Sequence, residues 1–534
     1  MKKISFFFIC LLSQISFAQE DAWVYFNAKP NFQYYFDNPL QMLTQRSLDR
    51  RLTQNIALDI KDVPIHQPFI DQIATANGIT VLAKSKWLNC LHVRGLQTDI
   101  ASLSSLSFVA SIQYANHSLN ARNSSNTSSN QTNKWQESLV TYNYGNATTQ
   151  VQMLNTQVLH EQNYTGSGKI IAIMDAGFPG VDTTTPFQRL RDNGLILGGY
   201  DFVNNTTNPY VSNQHGTQVL STMGGFVANQ LVGTAPDAKY YLFITEDYSS
   251  ETPLEETNWA EAAEMADYYG VDIINTSLGY FGYDNISYSY NYSHMNGTKS
   301  IIAQAADIAF SRGMITVTSA GNSGNSGNPY VATPADALTT LTVGAVAADR
   351  TRSYFSSIGP TFDGRLKPDV MALGSSSTVA NQAGVVTTSS GTSFSGPIMA
   401  GSVASLWSAY PNKTNAEILQ MVKQSADLYT TPNNQYGFGI PNFKLALNNE
   451  RFSKNIEILF NVYPNPAEFE IKFAVPKNMI NSILKIYNNI GQLVLEKNVS
   501  NELERISIQN YPSGIYHYNL YRIDKSLTGK FIKN

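Results

Sequence analysis

The stretch VVTTSSGTSFSGPIMAGSVASLW, residues 385–407, places a serine between a glycine turn and an apolar segment. From Gly391 onward small and apolar residues recur at the spacing of a buried helix, so the pattern predicts a helix that begins near Ser393. A serine at a helix start is commonly a cap. The alternative is that Ser393 is a nucleophile, which requires a base, an orienting acid and an oxyanion donor elsewhere in the chain.

Residues 135–452 alternate short apolar segments, rich in β-branched side chains, with segments of helical periodicity. The predicted strands are 170–177, 239–245, 271–279, 314–322 and 339–346, and the predicted helices between them include 259–270 and 300–313. Apolar strands that alternate with helices predict an α/β fold, in which helices cover both faces of a parallel sheet. Because such sheets bind ligands beyond the carboxyl ends of their strands, we expect the chemistry there.

Four polar residues fall at strand-to-loop or loop-to-helix junctions of this region. Asp175 ends the strand IIAIMDAG, His215 lies at the expected helix start of QHGTQVLSTMGG, and Asn322 ends TSAGN. Singly these signals are weak, because turns and helix caps explain an Asp, a His, an Asn or a Ser equally well. Together with Ser393 they supply an acid, a base, an amide donor and a hydroxyl. The order Asp, His, Ser is one of three unrelated orders found among serine hydrolases.

The motifs around these residues resemble those of the subtilisin-like serine proteases, the subtilases, over roughly residues 165–450. The matching motifs are IAIMDAG (171–177), QHGTQV (214–219), GTAPDAKYYLF (233–243), INTSLG (274–279), VTSAGN (317–322) and GTSFSGPIMAG (391–401). Six motifs in one order form a specific signature. The resemblance implies a subtilisin-like sheet and a serine-type endopeptidase.

The chemistry of peptide hydrolysis explains these residue types. A neutral serine hydroxyl is a poor nucleophile, so His215 is expected to take the proton of Ser393 during attack. Asp175 is expected to hold the imidazole in the useful tautomer and to stabilise the imidazolium. The side-chain amide of Asn322 and the backbone N–H of Ser393 are expected to receive the charge that develops on the carbonyl oxygen.

Two further segments resemble the extended pieces of chain that line the substrate groove of subtilases. They are Ser277-Leu278-Gly279 and Ser319-Ala320-Gly321. A peptide that adds there as a strand is held by main-chain hydrogen bonds, and side-chain pockets provide specificity. Leu278 fits the family pattern. Phe394 stands where methionine is commoner, a departure that concerns local packing and leaves the triad intact.

The loop 280–297 carries five tyrosines, which fit either contact with substrate or packing over the domain. The loop lacks the spacing of a calcium-binding loop. The chemistry requires no cofactor, whereas the family resemblance implies structural calcium at sites that the sequence does not identify.

The chain has 534 residues, of which 43% are hydrophobic and 14% charged, and its net charge is −4. This length predicts about two to four domains. The composition supports a large buried core and argues against general disorder. No run of Lys and Arg is long enough to follow a phosphate backbone, so no nucleic-acid partner is expected. The apolar part of the N-terminal segment is too short and too interrupted to span a bilayer, and no later segment is predicted to span one.

Residues 1–18 have the layout of a cleaved secretory signal, with two lysines, a short apolar segment and Ser16-Phe17-Ala18 before Gln19. The alternative is an N-terminal buried helix. Cys10 lies inside this segment, so Cys90 alone remains after cleavage and no internal disulfide is expected. Cys90 is expected to be a buried small hydrophobe and not a catalytic thiol.

Residues 19–120 show the order strand, helix, two strands, helix, strand, which is the split βαβ plan of a small α+β domain. The resemblance to subtilases implies a pro-domain that acts as inhibitor and folding template and leaves its C-terminal end in the active-site groove. The alternative is an unrelated binding domain. Residues 121–134 are polar and lack apolar periodicity, which predicts an exposed linker.

Residues 453–534 consist of short alternating segments with turn residues between them, which predicts a small antiparallel β-sandwich. Their motifs resemble the C-terminal sorting domain of the Bacteroidetes type IX secretion system. The matching residues are Tyr463-Pro464-Asn465-Pro466, Ile490-Gly491-Gln492, Pro512-Ser513-Gly514-Ile515-Tyr516 and Gly529-Lys530-Phe531-Ile532-Lys533. The alternative is an ordinary immunoglobulin-like substrate-binding module.

The sequence therefore predicts a secreted serine endopeptidase, made with an inhibitory pro-domain, that hydrolyses peptide bonds through an acyl-enzyme. The expected partners are a peptide or protein substrate, the chain's own pro-domain and the type IX secretion machinery. The expected location is outside the cell or on its surface, after passage through the periplasm of a Gram-negative bacterium. Two rivals stay open: a catalytically silent subtilase-fold binding or adhesion protein, and an esterase that uses the same triad.

Overall fold

The computed structural model describes residues 19–120, 142–448 and 461–533, except residues 464, 476–478, 502 and 523–524. The predicted signal peptide (1–18) and linker (121–134) lie outside the described residues. The chain divides into two compact units, Met1–Asn449 and Glu450–Asn534. Within the described residues, no helix is both long enough and apolar enough to cross a bilayer.

Residues 19–120, here called the N-terminal domain, contain one four-stranded antiparallel sheet. Its elements are β1 (Gln19–Phe26), α1 (Phe32–Asp37), α2 (Gln45–Thr53), α3 (Gln67–Ala74), β2 (Thr80–Ser85), β3 (Cys90–Leu96), α4 (Gln97–Ser102) and β4 (Val109–Tyr114). The strands lie in the order β2-β3-β1-β4. The predicted order of strand, helix, two strands, helix and strand is present. Helices α1 and α2 are additions in a stretch for which the sequence predicts no element.

Residues 142–448, here called the central domain, carry most of the secondary structure. The strands are β5 (Ile170–Asp175), β6 (Ile196–Asp201), β7 (Phe226–Val227), β8 (Leu231–Val232), β9 (Lys239–Ile244), β10 (Ile273–Thr276), β11 (Ile315–Ser319), β12 (Leu341–Val346), β13 (Val370–Leu373), β14 (Ser377–Ala380) and β15 (Val386–Ser389). The helices are α5 (Thr148–Gln152), α6 (Gln157–His160), α7 (Gln188–Asp192), α8 (His215–Gly224), α9 (Leu254–Tyr269), α10 (Ile301–Ser311), α11 (Thr392–Ala409), α12 (Asn415–Gln424) and α13 (Phe443–Leu447).

Seven of these strands form a parallel sheet in the order β13-β12-β11-β10-β5-β9-β6. The predicted α/β fold with a parallel sheet is confirmed. The two edge strands, β6 and β13, were not predicted from the sequence. In β6, two glycines interrupt the apolar run ILGGYD, and β13 has only four residues. Short or glycine-broken runs give a weak strand signal.

Strand β5 shows how both faces of this sheet become buried. Ile171 and Ile173 pack into a core with residues of α8 and α11, whereas Ala172 and Met174 pack into a second core with residues of α9 and α10. All four side chains are fully buried. Since side chains alternate between the faces of a strand, both faces must be apolar when helices cover both of them. This is why the run Ile170–Asp175 shows no polar alternation.

The sheet of the N-terminal domain packs on α9 of the central domain. The indole N–H of Trp23 donates to Thr257 Oγ1 at 2.9 Å. Glu264 on α9 accepts from the hydroxyl of Ser85 at 2.6 Å and from the backbone N–H of Trp87 at 3.0 Å. The buried carboxylate thus satisfies donors at the turn between β2 and β3, which have no partner within their own sheet.

A second contact between the two domains is ionic and buried. Arg50 and Arg51 on α2 reach Asp267 on α9 at 2.5 and 2.6 Å, and Arg51 also pairs with Asp62 at 2.8 Å. Each of these side chains is at most 5% exposed. Burial opposes ionisation of Asp267, but Arg51 and Arg50 outweigh it and lower the pKa of this carboxyl. Asp267 therefore has its two arginine partners only while the N-terminal and central domains are in contact.

Cys90 on β3 is the free cysteine of the described residues and is fully buried. It packs in the core that Trp23 and Trp87 share with α9. Burial raises the pKa of its thiol well above the usual value. The expectation of an inert, buried residue is confirmed, because a reactive cysteine needs exposure and a lowered pKa.

The second compact unit consists of antiparallel strands. They are β16 (Asn461–Tyr463), β17 (Glu470–Ala474), β18 (Ile483–Tyr487), β19 (Leu493–Asn498), β20 (Leu503–Ser507), β21 (Gly514–Arg522) and β22 (Lys525–Lys533). One sheet has the order β16-β17-β20 and the other β19-β18-β21-β22. Phe473 and Ile506 of the first sheet share a core with Ile486, Leu520 and Phe531 of the second. Two sheets around one core form the predicted β-sandwich.

Candidate active site

Asp175 and His215 meet at the carboxyl edge of the parallel sheet. Asp175 is the last residue of β5 and His215 the first residue of α8. The distance between Oδ1 of Asp175 and Nδ1 of His215 is 2.8 Å, and Oδ1 also accepts the N–H of Ala176 at 2.8 Å. The carboxyl is 2% exposed, whereas a third of the His215 side chain is exposed. The ring is thus anchored on one side and open to solvent on the other.

The environment of His215 favours its protonated form. Burial of the ring opposes protonation, but the charge of Asp175 and its hydrogen bond outweigh this effect and raise the pKa of His215. Glu246 adds a smaller contribution in the same direction. An imidazolium formed during a reaction would therefore be stabilised at this position.

Ser393 is the second residue of α11 and is tied to the end of β10. Its Oγ donates to the carbonyl oxygen of Ser277 at 3.3 Å, and Ser277 Oγ donates to the carbonyl oxygen of Ser393 at 3.1 Å. The side-chain amide of Asn275 donates to Ser277 Oγ at 3.1 Å. This reciprocal pair fixes the start of α11 against the sheet. The ring of Phe394 lies 6.0 Å from the ring of His215, so the same turn of helix also adjoins the histidine.

Pro397 explains why the carbonyl of Ser393 is available to Ser277. In an α-helix, a carbonyl accepts the N–H of the residue four positions later. For Ser393 that residue is Pro397, which lies inside α11 and has no N–H. Without the hydroxyl of Ser277, this carbonyl would lack a hydrogen-bond donor from the protein. The spacing of Ser393 and Pro397 therefore leaves the carbonyl oxygen of Ser393 free to accept a hydrogen bond from Ser277.

Asn322 is oriented by the residue that precedes the serine. Its Oδ1 accepts the backbone N–H of Thr392 at 2.9 Å and the hydroxyl of Thr392 at 3.0 Å. The hydroxyl of Thr392 also accepts the N–H of Gly321 at 3.2 Å. Because the oxygen of the amide is occupied, its nitrogen is the group left to donate, at an exposed position beyond β11.

The two predicted groove segments differ in how much of their main chain is free. Within the described part of the chain, the main-chain groups of Leu278 and Gly279 have no hydrogen-bond partner. In contrast, Ala320 donates its N–H to Val343 at 2.9 Å, and Gly321 accepts the N–H of Ser357 at 2.9 Å. Ala320 is also fully buried. The first segment thus has main-chain groups free for pairing, whereas the second is largely used to hold the domain together.

The tyrosine-rich loop 280–297 packs over the domain. Tyr283 and Tyr290 both donate to Glu256 at 2.5 Å, and Tyr288 accepts the N–H of Asp21 of the N-terminal domain at 3.2 Å. These three tyrosines are at most 7% exposed. Of the two alternatives that the sequence left open, packing is the one that the structure has, and the substrate-contact alternative has no support from these residues.

A family model for the "Subtilase family" matches residues 166–439, about half of the chain. The chain belongs to the subtilase family. Further models match the N-terminal domain of this subtilase as a "Peptidase S8 propeptide domain, Bacteroidota" over residues 21–134, and its end as a "Secretion system C-terminal sorting domain" over residues 461–534.

Several curated subtilases are similar to this one. Subtilisin NAT of Bacillus subtilis subsp. natto is 31% identical over 300 residues, which cover 55% of this chain and 70% of the relative. Subtilisin of Bacillus pumilus is 30% identical over 300 residues, which cover 55% and 97%. Serine protease AprX of Bacillus subtilis (strain 168) is 30% identical over 319 residues, which cover 53% and 67%.

The subtilase is a secreted serine endopeptidase that is made with a propeptide. Its sorting domain is that of the type IX system and indicates a secreted or cell-surface protein of Bacteroidota, whose partners include its own propeptide and the secretion machinery. The hypothesis of a catalytically silent binding protein is not favoured.

Some residues of the subtilase site were not predicted from the sequence. Thr392 orients Asn322, and Glu246 lies beside the Asp175–His215 pair. A threonine directly before Ser393 was visible as part of the motif Gly-Thr-Ser, but nothing in the sequence connected it with an asparagine 70 positions earlier. For Glu246 the sequence offered only its place after a predicted strand.

Asp267→Asn is expected to weaken inhibition of the mature subtilase by separately added propeptide about 10²-fold or more, because it leaves Arg50 in a buried site without a counter-charge. The measurement is the inhibition constant at fixed salt. Glu261→Gln is the matched control, since its pair with Lys84 is longer, at 3.5 Å, and more exposed. Its effect is expected to stay below about fivefold. Equal effects of the two substitutions would contradict a decisive role of the buried pair.

Proposed function

We propose that Ser393 is the nucleophile of this endopeptidase, that His215 is its general base and acid, and that Asp175 orients His215. The main support is the 2.8 Å hydrogen bond between Asp175 and His215. It lies at the sheet edge where α11 begins with Ser393 as its second residue. A nucleophile, a base and an orienting acid at converging strand and helix ends are the arrangement that acyl transfer requires.

In the first half of the proposed reaction, Ser393 leaves its hydrogen bond to Ser277 and turns toward Nε2 of His215. As Oγ attacks the carbonyl carbon of the scissile bond, its proton passes to Nε2. Asp175 stabilises the imidazolium through Nδ1. The imidazolium then gives the proton to the leaving amine, the C–N bond breaks and an acyl-enzyme remains.

In the second half, a water molecule takes the place of the amine. His215 accepts a proton from the water as its oxygen attacks the ester carbonyl of the acyl-enzyme. Collapse of the tetrahedral intermediate releases the carboxylic acid product and returns the proton to Oγ of Ser393. The resting site is restored, and no cofactor enters either half.

Asn322 and the backbone N–H of Ser393 form the proposed oxyanion hole. The first N–H groups of a helix have no partner within the helix and carry part of its dipole, so the N–H of Ser393 at the start of α11 is suited to an anion. Two hydrogen bonds from Thr392 to Oδ1 leave the nitrogen of Asn322 as the second donor. In subtilisin, loss of the corresponding amide donor lowers kcat about 10²–10³-fold, and that magnitude is borrowed here.

The proposed substrate is an extended peptide or protein segment that pairs with Leu278 and Gly279. Support comes from the free main-chain groups of these two residues, which offer the edge of a strand. Ser319, Ala320 and Gly321 are proposed to form the opposite wall mainly through their shape, because part of their main chain is already paired. An esterase would need an acyl pocket in place of this edge, so we favour the peptidase.

Structural calcium remains a proposal based on the family. Within the described residues, no group of three or more His, Cys, Asp and Glu side chains could hold a metal ion. Calcium would then have to rely on carbonyl oxygens and water to a large extent. No step of the proposed reaction involves it.

Labelling of the mature enzyme with a fluorophosphonate tests the proposed nucleophile. We expect a single phosphonyl adduct on Ser393, located by peptide mass mapping, and loss of peptide hydrolysis in proportion to labelling. Enzyme that has been heat-unfolded before labelling is the control and is expected to stay unlabelled. An adduct on Ser277 or another serine, or full hydrolysis after complete labelling, would refute the assignment.

A further inference from the structure

Glu246 lies next to the proposed triad on the neighbouring strand. Strand β9 ends at Ile244, which pairs in register with Asp175 of β5. The N–H of Thr245 donates to the carbonyl oxygen of Asp175 at 3.1 Å. Glu246 follows directly and is half-buried. A second carboxyl group thus stands at the same sheet edge as the Asp175–His215 pair.

The carboxyl group of Glu246 is held by hydrogen bonds from two sides. The hydroxyl of Tyr280 lies 2.6 Å from each of its two oxygens, and the hydroxyl of Thr245 donates to Oε1 at 2.9 Å. Tyr280 is fully buried and is itself fixed by backbone pairing with Thr333. These hydrogen bonds from Tyr280 and Thr245 therefore fix the position of the carboxyl group beyond the end of β9.

The charged groups around Glu246 come from every element that packs against it. Asp175 lies on β5, Glu255 on α9 and Glu251 in the loop between β9 and α9. The charges of Glu251 and Asp175 raise the pKa of Glu246, and the charge of Glu246 raises the pKa of Glu255. Burial and these like charges outweigh the hydrogen bonds and raise the pKa of Glu246 to about 8. The opposing positive group is His215, whose pKa Glu246 raises together with Asp175.

We propose that Glu246 is a positioning residue of this protease, whose carboxylate, once ionised, stabilises the imidazolium that His215 forms in the transition state. The inference rests on the proposed role of His215 as the base. Tyr280 follows Leu278 and Gly279 directly in the chain, so its hydrogen bond to Glu246 connects this carboxyl with the proposed groove. The negative charge of Glu246 attracts His215 only while the ring is protonated, which in the reaction occurs in the transition state. Interactions confined to the transition state raise kcat.

The proposal predicts that activity rises with pH in two steps. The first step is the deprotonation of His215, which must be neutral to accept the proton of Ser393. The second is the ionisation of Glu246 near its raised pKa. We expect this second step to increase kcat/KM by about threefold to tenfold, since one pKa unit of interaction between two groups corresponds to about tenfold. The increase should reside in kcat, with KM unchanged.

The experiment compares pH profiles of wild type, Glu246→Gln and Glu251→Gln on a peptide substrate without titratable side chains. Glu246→Gln keeps an acceptor for Tyr280 but cannot ionise, so its profile is expected to show the first step alone. Glu251→Gln is the matched control and is expected to keep both steps, with the second step at lower pH because it removes a like charge that raises the pKa of Glu246. Tyr280→Phe removes a hydrogen bond that favours the carboxylate, so it should move the second step to higher pH.

Each outcome decides between the hypotheses. A two-step profile in Glu246→Gln, or a single step in wild type, overturns the role of Glu246 and leaves the triad standing. Wild-type enzyme that hydrolyses peptide without labelling at Ser393 overturns the proposed function instead. If Glu246→Gln yields no folded enzyme, the direction of the shift in Tyr280→Phe decides, and an unshifted second step counts against the proposal.

Discussion

Ser393→Ala is expected to lower kcat for peptide hydrolysis about 10⁶-fold, the loss that removal of the serine causes in subtilisin, from which the magnitude is taken. The alanine has no oxygen to form the acyl-enzyme, while His215, Asp175 and Asn322 stay in place. The remaining rate would come from binding and the oxyanion donors alone. The measurement is hydrolysis under single-turnover conditions, with both proteins freed of their propeptide by an added protease, together with fluorophosphonate labelling.

Ser395→Ala is the matched control for this prediction. Ser395 lies two residues later on α11, is fully buried and donates to the carbonyl oxygen of Thr392 at 3.1 Å. Its loss removes a hydroxyl from the same helix that contacts neither His215 nor Asn322, and we expect kcat within about threefold of wild type. A Ser393→Ala enzyme that retains more than about a thousandth of the wild-type rate would exclude Ser393 as the nucleophile.

The same pair of variants reports on maturation. If the enzyme removes its own propeptide, the cut requires Ser393. We therefore expect the wild-type chain to lose its propeptide and Ser393→Ala to keep it. Buried pairs such as Arg50 with Asp267 bind the propeptide to the central domain. If both chains lose the propeptide at the same rate, an outside protease makes the cut, and self-processing is wrong.

The sequence predicts those strands and helices whose own residues indicate their structure, and it fails for elements that depend on distant partners. The run Ile170–Asp175 is fully buried and continuously apolar, so its own composition identifies a central parallel strand. The edge strand Ile196–Asp201 and the helix Gln45–Thr53 are decided by partners far away in the chain. Arg50 pairs with an aspartate 217 positions later, and a basic, weakly apolar segment alone does not indicate burial.

The candidate site follows the same rule. Asp175, His215, Asn322 and Ser393 could be named because each lies in a recognisable motif. Their supports could not be named, because Ser277 reaches Ser393 across 116 positions. The role of Pro397 depends on a missing N–H, which becomes informative only when the carbonyl of Ser393 is seen to accept another donor. The packing role of the tyrosines in the loop 280–297 could not be predicted either. It depends on hydrogen bonds to Glu256 and Asp21, which are distant in the sequence.

Asp175→Asn is expected to lower kcat about 10⁴-fold at neutral pH, as the same substitution does in an unrelated serine protease triad. Oδ1 of Asp175 accepts from both Ala176 and His215. If the amide oxygen keeps these two contacts, the negative charge that stabilises the imidazolium is gone. If the amide turns, its NH₂ faces Nδ1 and forces the ring proton onto Nε2, where it blocks proton transfer from Ser393.

The pH profile separates this effect from simple unfolding. Asp175 raises the pKa of His215, so its neutral replacement should move the acid limb of kcat/KM to lower pH while the maximum falls. Asp201→Asn is the matched control, because Asp201 ends the edge strand β6, is 1% exposed and accepts the N–H groups of Val203 and Asn204. We expect it to alter thermal stability but keep kcat within about threefold, with the acid limb in place. If Asp175→Asn also kept its kcat, or if its acid limb moved to higher pH, the carboxylate would not be the group that orients His215.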